Sequence, residues 1–497
     1  VTIRGQGRGG PNQEFALALA ITLDGTKGIA VGRAEDFPKL KTNVKFAPNE
    51  LTQREEYLLR SHAQGLWLLG ATDLAAQHAV WDFLHRLGYR QFFPGETWEV
   101  VPSSKRIVAQ VDVFEKPNYH SRRIWYGFGA WDYAKVPYQD WCEKNRCNGG
   151  VQLSTGHAYD GMVTGLKKEF EQHPEYWPSL NGERKPIRNP KPCLGNDELR
   201  SLMVQSAVKK MEKTPTADSV SVDPSDGGGW CECKLCAKLG SVSDQAITLA
   251  NDTAEALNKK YPGKLVGIYA YNYHSTPPSI KVHPKVVVSV ATAFIKGGMS
   301  LEDILAGWAA KDATLGIREY YSVNVWDRDQ PGHARGGNLD YLQRTIPYFH
   351  AKGARYMSAE SSDNWGPNGL GYYFASRMLW NIGEAKNKDA IIEDFLERAF
   401  GPAKEPMREF YQQLDGSKPH LVVDDQLGRM YRALEKARTL ANTPQINRRL
   451  DELTLYARYS TLYQRYTTSE SKDRQAAFET LIKHAYRMRQ TMLVHTY

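Results

Sequence analysis

The 497-residue chain lacks most of the features that assign a protein to a class at once. No apolar run approaches the roughly 18 residues that a membrane-spanning helix needs, so no membrane span is expected. The sequence opens at Val1 with no basic-then-apolar leader, so any secretion signal is expected to have been removed or never present. There is no G-x-S-x-G elbow, no P-loop, no H-E-x-x-H and no G-x-G-x-x-G behind a first strand. The Gly-rich GQGRGG of residues 5–10 lacks a strand–turn–helix context and reads as a frayed or processed terminus. Strong charge is absent as well. The net charge is +8, and the densest basic patch, ERKPIRNPK (183–191), is broken by prolines. With no basic stripe and no recognised module, nucleic acid is not an expected partner.

Cysteine is scarce, six in all, but three of the six crowd into Cys231, Cys233 and Cys236. A structural zinc normally takes four ligands, and the fourth would come from Cys193. In an oxidising compartment the six instead form up to three bridges, whose connectivity no spacing reveals. Bridges or inert thiols are the first expectation and zinc at Cys231, Cys233 and Cys236 the second. In either case the cysteines clamp a loop and no cofactor serves the chemistry.

What is plentiful is aromatic: 12 Trp and 27 Tyr, many just beyond predicted strands. Flat apolar faces with a polar tip suit the C–H faces of sugars, although they suit protein cores equally. The length implies two or three domains. Residues 1–118 read as a small α/β domain, with strands in GIAVGR and on either side of SHAQG, then a helix from Thr72 or Asp73 to a stop at Gly88. From 119 to 385 strands and helices alternate, with strands expected at 122–130, 150–156, 191–196, 219–225, 265–273, 286–292, 317–326 and 354–361. Eight such repeats are the arithmetic of a (β/α)8 TIM-like barrel. Residues 386–497 carry only helical patterns and form an α-helical C-terminal domain or barrel cover.

Active sites of such barrels sit at the C-terminal strand ends. That criterion selects Trp125, Tyr126, His157, Tyr159, Asn196, Asp223, Asp226, Tyr271, Tyr273, His274, Asn324, Trp326, Glu360, Asp363, Asn364 and Trp365. Two glutamates stand out because an unpaired buried carboxylate is costly. They are Glu319 in IREYYSVNVW and Glu360 at the end of ARYMSAES; the structural alternative for Glu319 is a salt bridge, for example to Arg122 or Arg123. In SVSVDPSDGGGWCECKLC, Asp226 precedes three glycines that allow close backbone approach to a ligand, whereas Asp223 before Pro224 reads as a turn residue. Glu360 and Asp226, then Glu319, are the expected catalytic acids. Tyr126, His157, Tyr159, Asn196, Trp230, Tyr271, Tyr273, His274, Tyr321, Trp326 and Trp365 are the expected substrate-binding residues, and no metal is expected among them.

The segment LWLLGATDLAAQHAVWDFLHRLGYRQFFPGE is similar to the small α/β domain that precedes the barrel in α-glucuronidases and β-hexosaminidases. Further on, DGGGWCECKLC, YAYNYHSTPP, REYYS, ESSDNWG and GLGYYFASRMLWN before DFLERAFGPA resemble the bacterial DUF4838 family. Part of that family is glycoside hydrolase family 163, endo-acting β-N-acetylglucosaminidases on N-glycans. The resemblance implies a secreted or periplasmic glycosidase-like protein with a carbohydrate substrate. It places Asp226 at the carboxylate after the fourth strand, a frequent general-acid position, and Glu319 and Glu360 at the other acidic motif positions. The adjacent Asp-Glu pair by which hexosaminidases assist attack by an N-acetyl group has no copy in DPSDGGG. Two alternatives accompany this expectation: a non-catalytic glycan-binding protein on the same barrel, and a uronic-acid-directed glycosidase.

Overall fold

A computed structural model describes residues 25–103, 108–147, 149–417 and 424–496, so the 5–10 segment lies outside the described residues. The described residues open with a four-stranded sheet of Gly28–Arg33, Tyr57–His62, Gly65–Gly70 and Asp112–Glu115. The first strand pairs parallel to the third, and the second lies antiparallel between the third and fourth. One face carries Tyr57, Leu59, Leu66 and Leu68 against Ala75, Ala79 and Phe83 of the helix Asp73–Arg86. That helix is capped by Thr72, whose Oγ1 accepts from the Ala75 amide at 3.3 Å. Gly70 lets helix and sheet meet, because a Cβ there would stand 2.2 Å from the Ala76 nitrogen.

The second sheet is curled and wholly parallel. Its six strands run in the order Ser219–Ser221, Leu265–Asn272, Val286–Ile295, Thr314–Tyr320, Tyr356–Ser361 and Ser121–Tyr126. Near-continuous apolar runs such as VVVSVA follow from burial on both faces, as in any sheet covered by crossover helices. The helices Asp132–Lys144, Asp197–Lys213, Val242–Lys260, Leu301–Ala309, Leu339–Ala351 and Trp365–Trp380 lie where the periodicity predicts them.

The eight-strand expectation is corrected at two places, since neither 150–156 nor 191–196 joins the ladder. Residues 150–157 still span the gap between the two edge strands, bridging Ser121 at Gly150 and Asp223 at His157. Between these ends side chains replace the ladder. The Ser154 amide donates to Ser219 Oγ at 2.6 Å, Ser219 Oγ donates to the Gln152 carbonyl at 2.9 Å, and Ser221 Oγ donates to the Gly156 carbonyl at 2.7 Å. Residues 191–196 pack instead against Tyr176 and the cysteine-bearing loop. The strand expected over 317–326 ends at Tyr320, and Asn324–Asp327 forms a helical turn.

Beyond 386 the described chain is helical: Lys388–Phe400, Lys404–Leu414, Asp424–Leu440, Pro444–Thr468 and Ser471–Met488. These helices share one core with the barrel and with Phe92, Phe93 and Trp98. After the last helix the chain returns to the barrel, where Trp365 and Gly366 donate to the carbonyls of Met492 and Leu493.

Candidate active site

Strand register decides which side chains share the C-terminal edge of the curled sheet. Glu360 stands opposite Trp125 on one side and Tyr320 on the other. Arg318, two residues before Tyr320, faces the same way, whereas Glu319 faces the helix layer. Together these strand ends border a cleft of about 260 Å³.

Glu360 and Arg318 form its base. The guanidinium donates to Glu360 Oε2 and stacks on Tyr320 and Trp125, at 4.4 and 4.7 Å from their ring centroids. A guanidinium only donates, so Glu360 Oε2 is the acceptor in this contact. Gly127 leaves room for the carboxylate, because a Cβ there would lie 2.0 Å from Glu360 Oε1.

One wall is aromatic. Phe294, Tyr320 and Trp326 form a triangle of rings with centroids 5.4 to 5.7 Å apart. Phe294 and Trp326 are about half exposed, and Phe294 takes a left-handed backbone conformation at φ 58. A non-glycine residue in that region carries a conformational cost of the kind that clusters at functional sites.

Beside this triangle the lining continues with Tyr271, whose ring centroid is 5.8 Å from that of Phe294, and with Tyr269 and His157. His157 Nδ1 lies 2.6 Å from the Pro224 carbonyl and 3.2 Å from Asp223 Oδ2. The Pro224 carbonyl can only accept, so Nδ1 carries a proton, and Nε2 is the nitrogen available to a ligand. Asp223 is fully buried and accepts from the Tyr269 amide at 2.7 Å. Burial pushes Asp223 up despite His157. In His157 burial disfavours the cation, but Asp223 outweighs it and the imidazole is raised. His157 therefore keeps its proton to higher pH than a free imidazole.

Asp226 is exposed next to Tyr271, outside the cleft lining. Its Oδ1 accepts from the Gly227 amide at 2.7 Å and from Tyr271 OH at 3.2 Å. Its carbonyl accepts from Lys191 Nζ, and burial lowers that ammonium to about 8. Tyr273, half exposed, packs near Gly228 outside the cleft lining.

Several expected site residues lie elsewhere. Glu319 is buried in the helix layer and accepts from Thr292 Oγ1 at 2.6 Å, Tyr341 OH at 2.7 Å, the Tyr320 amide at 2.8 Å and Arg335 at 2.9 Å. The salt-bridge alternative therefore holds for it, with Arg335 in place of Arg122 or Arg123. Tyr126 and Trp365 are buried and bonded to each other, Trp365 Nε1 donating to Tyr126 OH at 2.8 Å. Tyr159 and Tyr321 are fully buried. Asn196 caps the helix Asp197–Lys213 through the Leu199 amide. Trp230 and His274 stack edge-on, and burial takes His274 down to about 3. Asp363 and Asn364 belong to a buried network with Asp329 and His495.

The cleft also contains residues that the sequence reading does not select: Arg318, Tyr320, Tyr269 and Phe294. A period of two counted back from Glu360 and across the register finds Tyr320 and Arg318. The left-handed turn at Phe294 has no sequence signal.

Cys193, Cys231, Cys233 and Cys236 are the one group among the described residues whose geometry suits a metal. Cys142 and Cys147 are buried elsewhere, and burial raises both thiols.

Among solved structures, a family 89 glycoside hydrolase from Clostridium perfringens, captured with its substrate GlcNAc-alpha-1,4-galactose, aligns with TM-score 0.53 and 11% identity. The alignment covers 87% of this chain and 61% of that one, so the chain spans less than two thirds of that neighbour's length. CpGH84B aligns at TM-score 0.45 and 12% identity over 90% and 85% of the two chains. An O-GlcNAc hydrolase of Thermobaculum terrenum aligns at 0.38 and 10% over 75% and 89%. At these identities the likeness of the first is one of fold. No curated protein matches the chain. The family described as a domain of unknown function, DUF4838, matches residues 93–413, which take in every strand of the curled sheet and the whole cleft; the chain belongs to the DUF4838 family.

Proposed function

We propose that the protein hydrolyses a glycosidic bond in a complex glycan, with Glu360 and Asp226 as the paired carboxylates. The observation that carries this reading is Glu360, held by Arg318 in a sugar-sized cleft whose lining also includes aromatic rings and His157. Glu360 serves as nucleophile or as the base that activates water. Asp226, exposed on the side of Tyr271 and with Oδ2 outside the hydrogen bonds that Oδ1 accepts, is assigned as the proton donor to the leaving oxygen. His157, backed by Asp223, presents Nε2 to a sugar hydroxyl, and Trp326 and Phe294 stack on a ring face.

At the finer level we read the substrate as an N-acetylglucosamine-containing glycan, cleaved internally, and the site of action as outside the cytosol. The motif resemblance supports this, as does the aminosugar substrate of the family 89 neighbour. The adjacent Asp-Glu pair is missing from DPSDGGG, so the enzyme's own carboxylate or a water supplies the attack. Among the described residues no helix is long and apolar enough to cross a membrane.

The test is incubation with a panel of N-glycans and uronic-acid polysaccharides, with products identified by mass. New reducing ends within an N-glycan are expected. Cleavage only of uronic-acid polymers replaces the substrate class. Binding that depends on Trp326 without any product converts the reading to a glycan-binding protein.

A further inference from the structure

Four cysteines from two stretches of the chain, Cys193 in one and Cys231, Cys233 and Cys236 in the other, meet behind the loop that delivers Asp226. Cys193 follows the small hairpin of Ser179–Leu180 and Glu183–Arg184. Cys231 and Cys233 follow the glycines, and Cys236 lies in the short helix Lys234–Leu239. Their Sγ atoms all lie within 4.8 Å of one another. Cys193 Sγ is 3.4 Å from Cys233 Sγ and 3.7 Å from Cys236 Sγ. A tetrahedral ion with metal–sulfur bonds of about 2.3 Å requires sulfur–sulfur edges of about 3.8 Å. No disulfide joins any of the six cysteines, all of which are described.

The surroundings are those of thiolates. The Ser179 amide donates to Cys231 Sγ at 3.3 Å and the Gly195 amide donates to Cys236 Sγ at 3.3 Å. Arg184 Nη2 approaches Cys193 Sγ at 3.7 Å. Such outer donors orient metal ligands, and a guanidinium offsets the net negative charge of a tetrathiolate site. Gly195 makes the approach feasible, because a Cβ there would lie 2.3 Å from the Leu235 carbonyl carbon.

We propose that Cys193, Cys231, Cys233 and Cys236 bind one Zn²⁺ in a closed structural site. Four thiols release four protons to solvent as the four Zn–S bonds form, and no electron changes hands. Four protein ligands leave no open position, so the ion does no chemistry on substrate. Its work is to tie the hairpin, residues 191–196 and the short helix to one point, which sets the height of the DGGG rim. Most of the metal's binding energy is then folding energy for this corner of the molecule. The inference stands apart from the glycosidase reading, because its readouts need no substrate.

Elemental analysis of the full-length protein, purified under reducing conditions without chelator, tests it. About one equivalent of zinc per chain is expected, released by a mercurial thiol reagent. Cys193→Ser is expected to lose the metal and Cys142→Ser to keep it. Co²⁺ taken up in place of zinc is expected to show the visible ligand-field bands of a tetrahedral thiolate site. If Cys193→Ser does not fold, the wild-type stoichiometry and the Co²⁺ spectrum decide. Three results overturn the proposal: metal below about a tenth of an equivalent in folded protein, iron in zinc's place, or a denatured mass reduced by the hydrogens of one or more disulfides among the four.

Discussion

Two glutamates one strand apart have opposite situations, and strand parity alone separates them. Glu360 faces the cleft, while Glu319 faces the helices and is satisfied by Thr292, Arg335, Tyr341 and a backbone amide. Glu319→Ala leaves those donors without their acceptor and is expected to destabilise the fold by about 1–3 kcal/mol. At temperatures where the variant remains folded, turnover stays close to wild type; thermal melts beside rate measurements check the split. His157 adds a pH signature. Its pKa is raised above the usual 6.5, so the stabilisation from Asp223 is fully present below pH 6.5 and is lost as pH rises through the raised value. The gap in melting temperature between wild type and His157→Gln is therefore expected to be widest at acid pH and to close on the alkaline side. A gap that grows with pH contradicts the Asp223–His157 contact. The sequence makes both glutamates candidates, because IREYY is buried on both faces and shows no alternation from which to read parity. It undervalues Asp223 for a related reason: an Asp before Pro is a common turn residue, and only tertiary burial distinguishes this one.

At the scale of elements, the helices are legible because caps and 3.6-residue spacing are local properties. The longer barrel strands are legible as apolar runs. Two expected strands fail for a different reason. The edge strand Ser219–Ser221 presents serine hydroxyls to residues 150–157, so hydrogen bonds that elsewhere join two backbones here go through side chains. Residues 191–196 bond instead to Tyr176 and to the cysteine-bearing loop. Periodicity carries neither signal. The turn after the first barrel strand yields a test of the cleft's base. Gly127→Ala places a methyl group where Glu360 Oε1 now lies. Displacing a reacting group by about an ångström costs on the order of 10²-fold in rate. Such a drop, with the melting temperature nearly unchanged, is the expected outcome; an unaffected rate would place the reacting carboxylate elsewhere.

Across the whole molecule, the first sheet meets the barrel through a buried charged cluster. Arg122, fully buried on the first barrel strand, donates to both oxygens of Glu55, and His78 reaches the same carboxylate at 2.9 Å. Burial alone would raise Glu55, but Arg122 and His78 outweigh it and bring the carboxyl to about 2. Its contribution is thus complete above the usual value of 4.5 and is lost as pH falls from 4.5 toward 2. Glu55→Gln is expected to cost about 3–5 kcal/mol at neutral pH, because Arg122 is left buried with no anionic partner. Urea melts from neutral to acid pH check this. The difference from wild type should shrink below pH 4.5, and a constant difference would contradict the assigned pairing. The sequence suggests the sheet, barrel and helical tail in order. It does not show that Trp98, Phe93 and the tail helices share the barrel's core, since contacts hundreds of residues apart leave no local pattern.

Glu360 as a reacting carboxylate in a glycan-cleaving cleft is the claim on which the proposed function rests. The most direct measurement is single-turnover cleavage of the best glycan by wild type, Glu360→Gln and Asp226→Asn, paired with calorimetric binding of that glycan. Each variant is predicted to lose on the order of 10²- to 10⁴-fold in rate while binding the glycan within a few-fold of wild type. Glu360→Gln turning over at the wild-type rate would contradict the assignment.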